Sequence, residues 1–141
     1  MDTSKLLESV PGAQELVDWF SYWPSFHDAE VLSLSLNRTG ESCVKVHTFR
    51  MTDALSPSGH YICDKHVIVS ILMNEITGFN LEDFSDQNVL SWLDLAIDEN
   101  GVELTLGGCY GLQGRIRSKS IRVAIEPGTP AESVYAQARH L

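Results

Sequence analysis

The chain contains 141 residues, of which 43% are hydrophobic and 21% are charged; this fits one globular domain over residues 1–141 and excludes intrinsic disorder. Its net charge of −9 disfavours nucleic acid and anionic membranes as partners, so we expect neither. The longest near-apolar run, Val67 to Met73, is too short to span a bilayer, and residues 1–5 lack the features of a signal peptide, which predicts a cytoplasmic protein.

The first predicted element is an amphipathic helix over about residues 12–23. Pro11-Gly12 can begin it, and large apolar side chains recur at helical spacing as far as Trp23. Pro24 ends it, because the residue before a proline avoids the helical region. The next residues join this helix to a strand, and we interpret five of them as a structural corner: Trp23, Phe26, His27, Asp28 and Glu30. In this interpretation His27 packs under Trp23, and the Asp28 carboxylate binds backbone N–H groups.

Six later segments alternate apolar and polar residues with the two-residue period of β-strands: 30–36, 42–50, 65–74, 88–98, 102–106 and 115–126. Segment 65–74 is apolar on both faces, which is typical of a central strand. We interpret residues 76–86 as a connection that inserts Phe79, Leu81 and Phe84 into the edge of the core.

These elements predict an α+β fold: a curved, mostly antiparallel sheet of about five to seven strands, with the N-terminal helix packed on one face. The sheet should span about residues 29–126 and be followed by a short C-terminal tail, 127–141.

His27, Asp28 and Glu30 form one candidate active site, because general acid–base catalysis needs a proton donor and an acceptor close together. If these residues lie on a strand, however, His27 and Asp28 point to opposite faces and cannot act on the same substrate atom. This alternation favours the structural interpretation of the corner, and we predict no catalytic residues.

His60, Cys63 and His66 are residue types that bind zinc, and their spacing is compact. A structural zinc site needs a fourth ligand, which the sequence supplies only in distant residues. We predict no metal and no cofactor, although the sequence leaves open whether these three residues bind a metal.

Glu82, Asp83, Phe84 and Asp86 form the candidate partner-binding loop, because an aromatic anchor lies between carboxylates. In the competing interpretation Phe84 belongs to the core, and the acidic residues only keep the loop solvated.

Three blocks of the sequence carry a family resemblance. They are the tryptophan-ended helix followed by Ser25-Phe26-His27-Asp28-Ala29-Glu30-Val31, the block Gly78-Phe79-Asn80-Leu81-Glu82-Asp83-Phe84, and a Gly-rich turn with a final strand ending at Pro127. Together they resemble bacterial immunity protein family 50 of polymorphic toxin systems, over roughly residues 15 to 127.

The resemblance implies a non-enzymatic protein that binds and neutralises a cognate toxin in the cytoplasm, and the acidic charge would suit a basic toxin. It leaves open which toxin is bound and whether the protein is a monomer or a homodimer. The alternative function is a small hydrolase or a metal-dependent enzyme that uses His27, Asp28 and Glu30.

Overall fold

The computed structural model of the chain describes residues 3–138. Six strands occur in this range: β1 (Glu30–Ser35), β2 (Ser42–Leu55), β3 (Tyr61–Glu82), β4 (Val89–Asp98), β5 (Gly101–Tyr110) and β6 (Gln113–Pro127). They form a closed barrel in the order β1-β2-β3-β6-β5-β4, and all neighbours are antiparallel. Residues 3–138 also contain three helices: α1 (Thr3–Ser9), α2 (Ala13–Phe20) and α3 (Val134–Ala138). The predicted α+β fold with a curved antiparallel sheet is therefore confirmed.

Alternation of side chains produces the core of this barrel. Each strand turns one set of residues inward, and on β2, β3 and β6 that set is rich in β-branched residues, including Val44, Val69 and Val123. Apolar side chains of α1 and α2, among them Leu6 and Leu16, belong to the same buried cluster. None of the helices in residues 3–138 is long and apolar enough to cross a bilayer.

Helix α2 docks against β6 through the two residues that precede it, Pro11 and Gly12. The Val123 N–H donates to the carbonyl oxygen of Pro11 at 2.8 Å, and a Cβ at position 12 would overlap the Val123 carbonyl oxygen, so Gly12 is required for this approach. The helix ends at Phe20, because Ser21 adopts a left-handed conformation (φ 72°) and its N–H bonds to the Val17 carbonyl.

The corner between α2 and β1 closes the barrel. Only one residue pair, Glu30 with Val89, joins β1 to β4 in regular register. Three backbone hydrogen bonds of 2.8 Å extend this seam, from Asp28 N to Leu90 O, from Leu90 N to Ala29 O, and from Val31 N to Asn88 O. The backbone of the corner thus fixes where the loop before β4 lies.

Strand β3 is much longer than predicted, because its pairing with β6 continues to Glu82, which lies opposite Gln113. The interpretation of residues 76–86 as a connection is therefore wrong for residues 76–82. Phe79 is 60% exposed and Phe84 is 56% exposed, so the prediction that they insert into the core is also wrong. A β-bulge interrupts the alternation of apolar and polar residues along this strand, so the sequence pattern does not show that the strand continues. Glu75 has φ 56°, and the register with β6 shifts between Ile76 and Gly78.

Candidate functional site

The acidic loop, defined here as Glu82–Asp86, leaves the end of β3 with its side chains in solvent. Asp83 turns the chain through a left-handed conformation with φ 61°. Phe84 lies just after this turn and exposes more than half of its surface. The interpretation of Phe84 as a core residue is therefore wrong, and the loop presents an aromatic ring among carboxylates.

The buried side chain of Asn88 holds this loop in place. Its Oδ1 accepts hydrogen bonds from Ser85 N at 2.9 Å and from Leu112 N at 3.0 Å, while its Nδ2 donates to Ser85 O at 2.8 Å. Gly111 has φ 80°, and a Cβ there would lie 2.6 Å from Asn88 Oδ1. The loop is thus fastened to the turn between β5 and β6, and its shape is set before any partner arrives.

A cleft of about 550 Å³ opens beside the acidic loop, at the seam between β1 and β4. We call it the acidic cleft, because four of the residues that line it are acidic: Asp28, Glu30, Asp86 and Glu132. The fold therefore brings two residues of the predicted corner together with one residue of the predicted partner-binding loop. Glu132 joins them from the C-terminal segment, which was predicted only as a tail.

Glu30 is the most constrained carboxylate of the cleft. His47 Nδ1 lies 2.6 Å from its Oε1, and Ser133 Oγ donates to the same oxygen at 2.5 Å. Burial of Glu30 opposes ionisation, but these hydrogen bonds outweigh burial and hold the pKa of the carboxyl group below its ordinary value. Glu30 is therefore a carboxylate at neutral pH.

Ser133, His47 and Glu30 are the residue types of a hydrolase triad, but their arrangement differs from one. In a triad the histidine nitrogen opposite the carboxylate accepts the serine proton. Here Ser133 Oγ donates to the carboxylate itself, and His47 Nε2 instead lies 2.9 Å from His66 Nδ1. Ser133 is only 1% exposed. This geometry does not activate the serine and leaves a substrate no access to it.

An aromatic cluster on the outer face of β2 and β3 fastens the C-terminal segment. Tyr135 packs against His47, Phe49 and His66 with ring centroids 4.5–5.9 Å away. Burial raises the pKa of the Tyr135 hydroxyl to about 12. Ser133 and Tyr135 were not predicted from the sequence; the available signal was a large aromatic residue in the short C-terminal tail.

His66 belongs to this cluster together with His47. His60, by contrast, lies in the exposed turn that precedes β3, and Cys63 is half-buried on the strand. Among residues 3–138, no three His, Cys, Asp or Glu side chains stand close enough together to hold a metal ion.

The prediction that His27 packs under Trp23 is wrong, because the His27 side chain is 67% exposed. Trp23 contacts Phe26 instead, with an edge-on ring geometry and centroids 6.1 Å apart. Residues 26–29 form a turn, in which Phe26 and Asp28 have positive φ, so strand alternation does not separate His27 from Asp28. Their side chains lie 3.3 Å apart, and it is the backbone N–H of Asp28, bonded to Leu90 O, that fastens the corner.

Comparison with known proteins gives the family of the chain. A family profile described as immunity protein 50 matches residues 12–127, which is most of the chain. Searches of curated proteins and of solved structures give no significant match. The matched range covers α2, all six strands, the acidic loop and most of the acidic cleft. The chain therefore belongs to the immunity protein 50 family, and this membership implies a role in toxin immunity.

Proposed function

We propose that this protein binds a basic bacterial toxin in the cytoplasm through the acidic loop and the acidic cleft, and that it neutralises the toxin by covering its functional surface, without catalysis. Family membership supports the immunity role. The observation that carries the choice of surface is Phe84, which is 56% exposed on a loop held by Asn88.

An exposed phenylalanine on an ordered loop has the properties of a binding anchor. Burying such a side chain in a partner is worth on the order of 2 kcal/mol from the hydrophobic effect. Because two hydrogen bonds between Asn88 and Ser85 already hold the loop, and a third joins Asn88 to Leu112, association loses little additional conformational entropy. Aromatic anchors surrounded by a polar rim are the usual centres of protein interfaces.

The charge around Phe84 supports a basic partner. Glu82, Asp83 and Asp86 flank the ring, and Asp28 and Glu132 line the adjoining cleft. A concentration of one sign of charge steers an oppositely charged protein during encounter and makes its association rate depend on salt. The overall net charge of −9 acts in the same direction.

The test uses the polypeptide encoded by the adjacent gene, with its toxic activity silenced, as the binding partner. In the variant Asp83→Lys/Asp86→Lys, the association rate constant at low salt should fall at least about tenfold, and its dependence on NaCl concentration should flatten. The matched control is Asp53→Lys/Glu99→Lys, which changes the net charge equally at exposed positions outside the loop.

Stopped-flow fluorescence at several NaCl concentrations measures the association rate constant of each variant and its dependence on salt. If the control variant slows association as much as the loop variant, net charge alone governs encounter and the proposed surface is wrong. Absence of binding by the unmodified protein would contradict the proposed function as a whole.

A further inference from the structure

The second half of β3 has one unpaired edge. Pairing between β2 and β3 ends where Ser42 lies opposite Met73, whereas β6 continues to pair with β3 as far as Glu82. In residues 3–138 no strand pairs with the other side of Asn74–Glu82. We call this side the open β3 edge. Its backbone N–H and C=O groups are a template for one more strand.

The bulge at Glu75–Gly78 divides this edge into two parts. Bulges and charges are the usual means by which sheet edges resist unwanted pairing. The part of the edge before Gly78 has both, because the bulge lies there and Glu75 carries a charge. Beyond Gly78 the register with β6 is unbroken to Glu82. The regular part, Gly78–Glu82, lies directly before the acidic loop and is continuous with the proposed toxin-binding surface.

The side chains of Gly78–Glu82 indicate what kind of strand fits. Phe79 lies opposite the fully buried Ile116, so it is on the core-facing side of the sheet, yet it is 60% exposed because the pairing of β3 with β2 stops at Met73. Leu81 has the same orientation and is half-buried. An added strand would cover both apolar side chains with apolar residues of its own.

The opposite face of the same segment carries Asn80 and the exposed carboxylate of Glu82, and Asp83 follows at once. The nearest basic side chain in register is Arg115, which lies on β6 and therefore on the far side from an incoming strand. Cross-strand pairs of opposite charge stabilise a sheet. Lysine or arginine residues are thus the complementary neighbours on this face.

Charge also argues against a second copy of this chain as the occupant. Two open β3 edges in antiparallel contact would place Gly78 of one copy opposite Glu82 of the other, and neither segment Gly78–Glu82 contains a basic residue that could pair with Glu82. Each copy also carries a net charge of −9, which adds repulsion.

We propose that the open β3 edge at Gly78–Glu82 pairs with an extended segment of the toxin in which apolar and basic residues alternate, so that the toxin strand extends the barrel's sheet. This inference rests on the proposed function and specifies how the toxin is held. The acidic loop then acts as the adjoining contact at the end of the added strand.

Residue-resolved hydrogen–deuterium exchange with the silenced product of the adjacent gene tests this pairing. In the free protein, alternate amides of Gly78–Glu82 should already be slow, because they bond to β6. On binding, the remaining amides of this segment should slow at least about tenfold. Protection confined to residues 83–88 would overturn the inference but leave the proposed function intact, and absence of binding would overturn both.

Two lysine substitutions supply a second measurement. Phe79→Lys should weaken toxin binding at least about tenfold, because lysine on an edge opposes pairing and the apolar contact is lost. The control is Leu55→Lys. Leu55 is 59% exposed and is the last residue of β2, where it lies opposite Tyr61 at the other end of β3, so this substitution should change affinity less than about twofold. Equal effects of the two variants would overturn the inference. So would slow exchange of the same amides in the concentrated protein alone, because that result assigns the edge to a second copy.

Discussion

The side chain of Phe84 should contribute little to the stability of the fold and much to the affinity for the toxin. Because most of its ring lies in solvent, we expect Phe84→Ala to change the free energy of unfolding by less than about 0.5 kcal/mol. The same substitution should weaken toxin binding by about 2 kcal/mol, roughly 30-fold. Urea unfolding and isothermal titration calorimetry measure the two effects. Tyr61→Ala, at an aromatic residue that is 59% exposed, serves as the control and should change neither quantity.

Glu30 should make stability depend on pH. Its pKa is lower in the folded protein than the ordinary value of 4.5, so its stabilising effect is fully present above that value and is lost as the pH falls through the folded-state pKa. At pH 7 we expect Glu30→Gln to lower the free energy of unfolding by about 1–3 kcal/mol. Urea unfolding at pH 7 and pH 3 should show that the gap between wild type and variant narrows in acid. An equal gap at both pH values would contradict this assignment.

Local features were predictable from the sequence where they depend on near neighbours in the chain. The concentration of carboxylates around Phe84 is an example, because these residues are contiguous, whereas their role in partner binding stays a prediction. Glu30 was predicted as a corner residue and, in the alternative function, as an active-site residue. Its contacts with His47 and Ser133 were not predicted, because these partners come from β2 and from the C-terminal segment. No local pattern indicates that these three side chains meet.

The loop before β4 behaves as a preorganised element because of Asn88. Asn88→Ala removes three hydrogen bonds and leaves the N–H of Leu112 without its partner in the interior, so we expect the free energy of unfolding to fall by about 2 kcal/mol. Toxin binding should weaken as well, since the loop must then be ordered on association. Thermal unfolding and calorimetry measure these effects, with Asn100→Ala, at an exposed position in the turn between β4 and β5, as the control. Full affinity in the Asn88→Ala variant would show that the loop's order is irrelevant to binding.

Elements with uninterrupted alternation were predicted well, and β3 shows why others were not. Its first half alternates clearly, but the bulge near Glu75 shifts the period, and the remainder exposes apolar residues on the core-facing side. A strand that continues beyond its neighbour on one side breaks the rule that inward residues are buried. The expected position of Phe79 in the core failed for this reason.

The topology of the whole barrel creates the candidate site. Closure between β1 and β4 places Asp28 and Glu30 beside Asp86, and the C-terminal segment adds Glu132. The sequence gives the net charge of −9 but not its distribution, because the distribution depends on which strands are neighbours. The acidic cleft, the acidic loop and the open β3 edge lie next to one another, so one partner could contact all three.

Cell protection tests the choice of this surface most directly. Bacteria would express the active product of the adjacent gene together with the unmodified protein, the loop variant Asp83→Lys/Phe84→Ala/Asp86→Lys or the control Asp53→Lys/Tyr61→Ala/Glu99→Lys, at equal protein levels. We expect survival with the unmodified protein and with the control, and a loss of survival of at least about a hundredfold with the loop variant, because anchor contacts dominate binding energy. Equal protection by the loop variant and the control would contradict the assignment of the acidic loop as the toxin-binding surface.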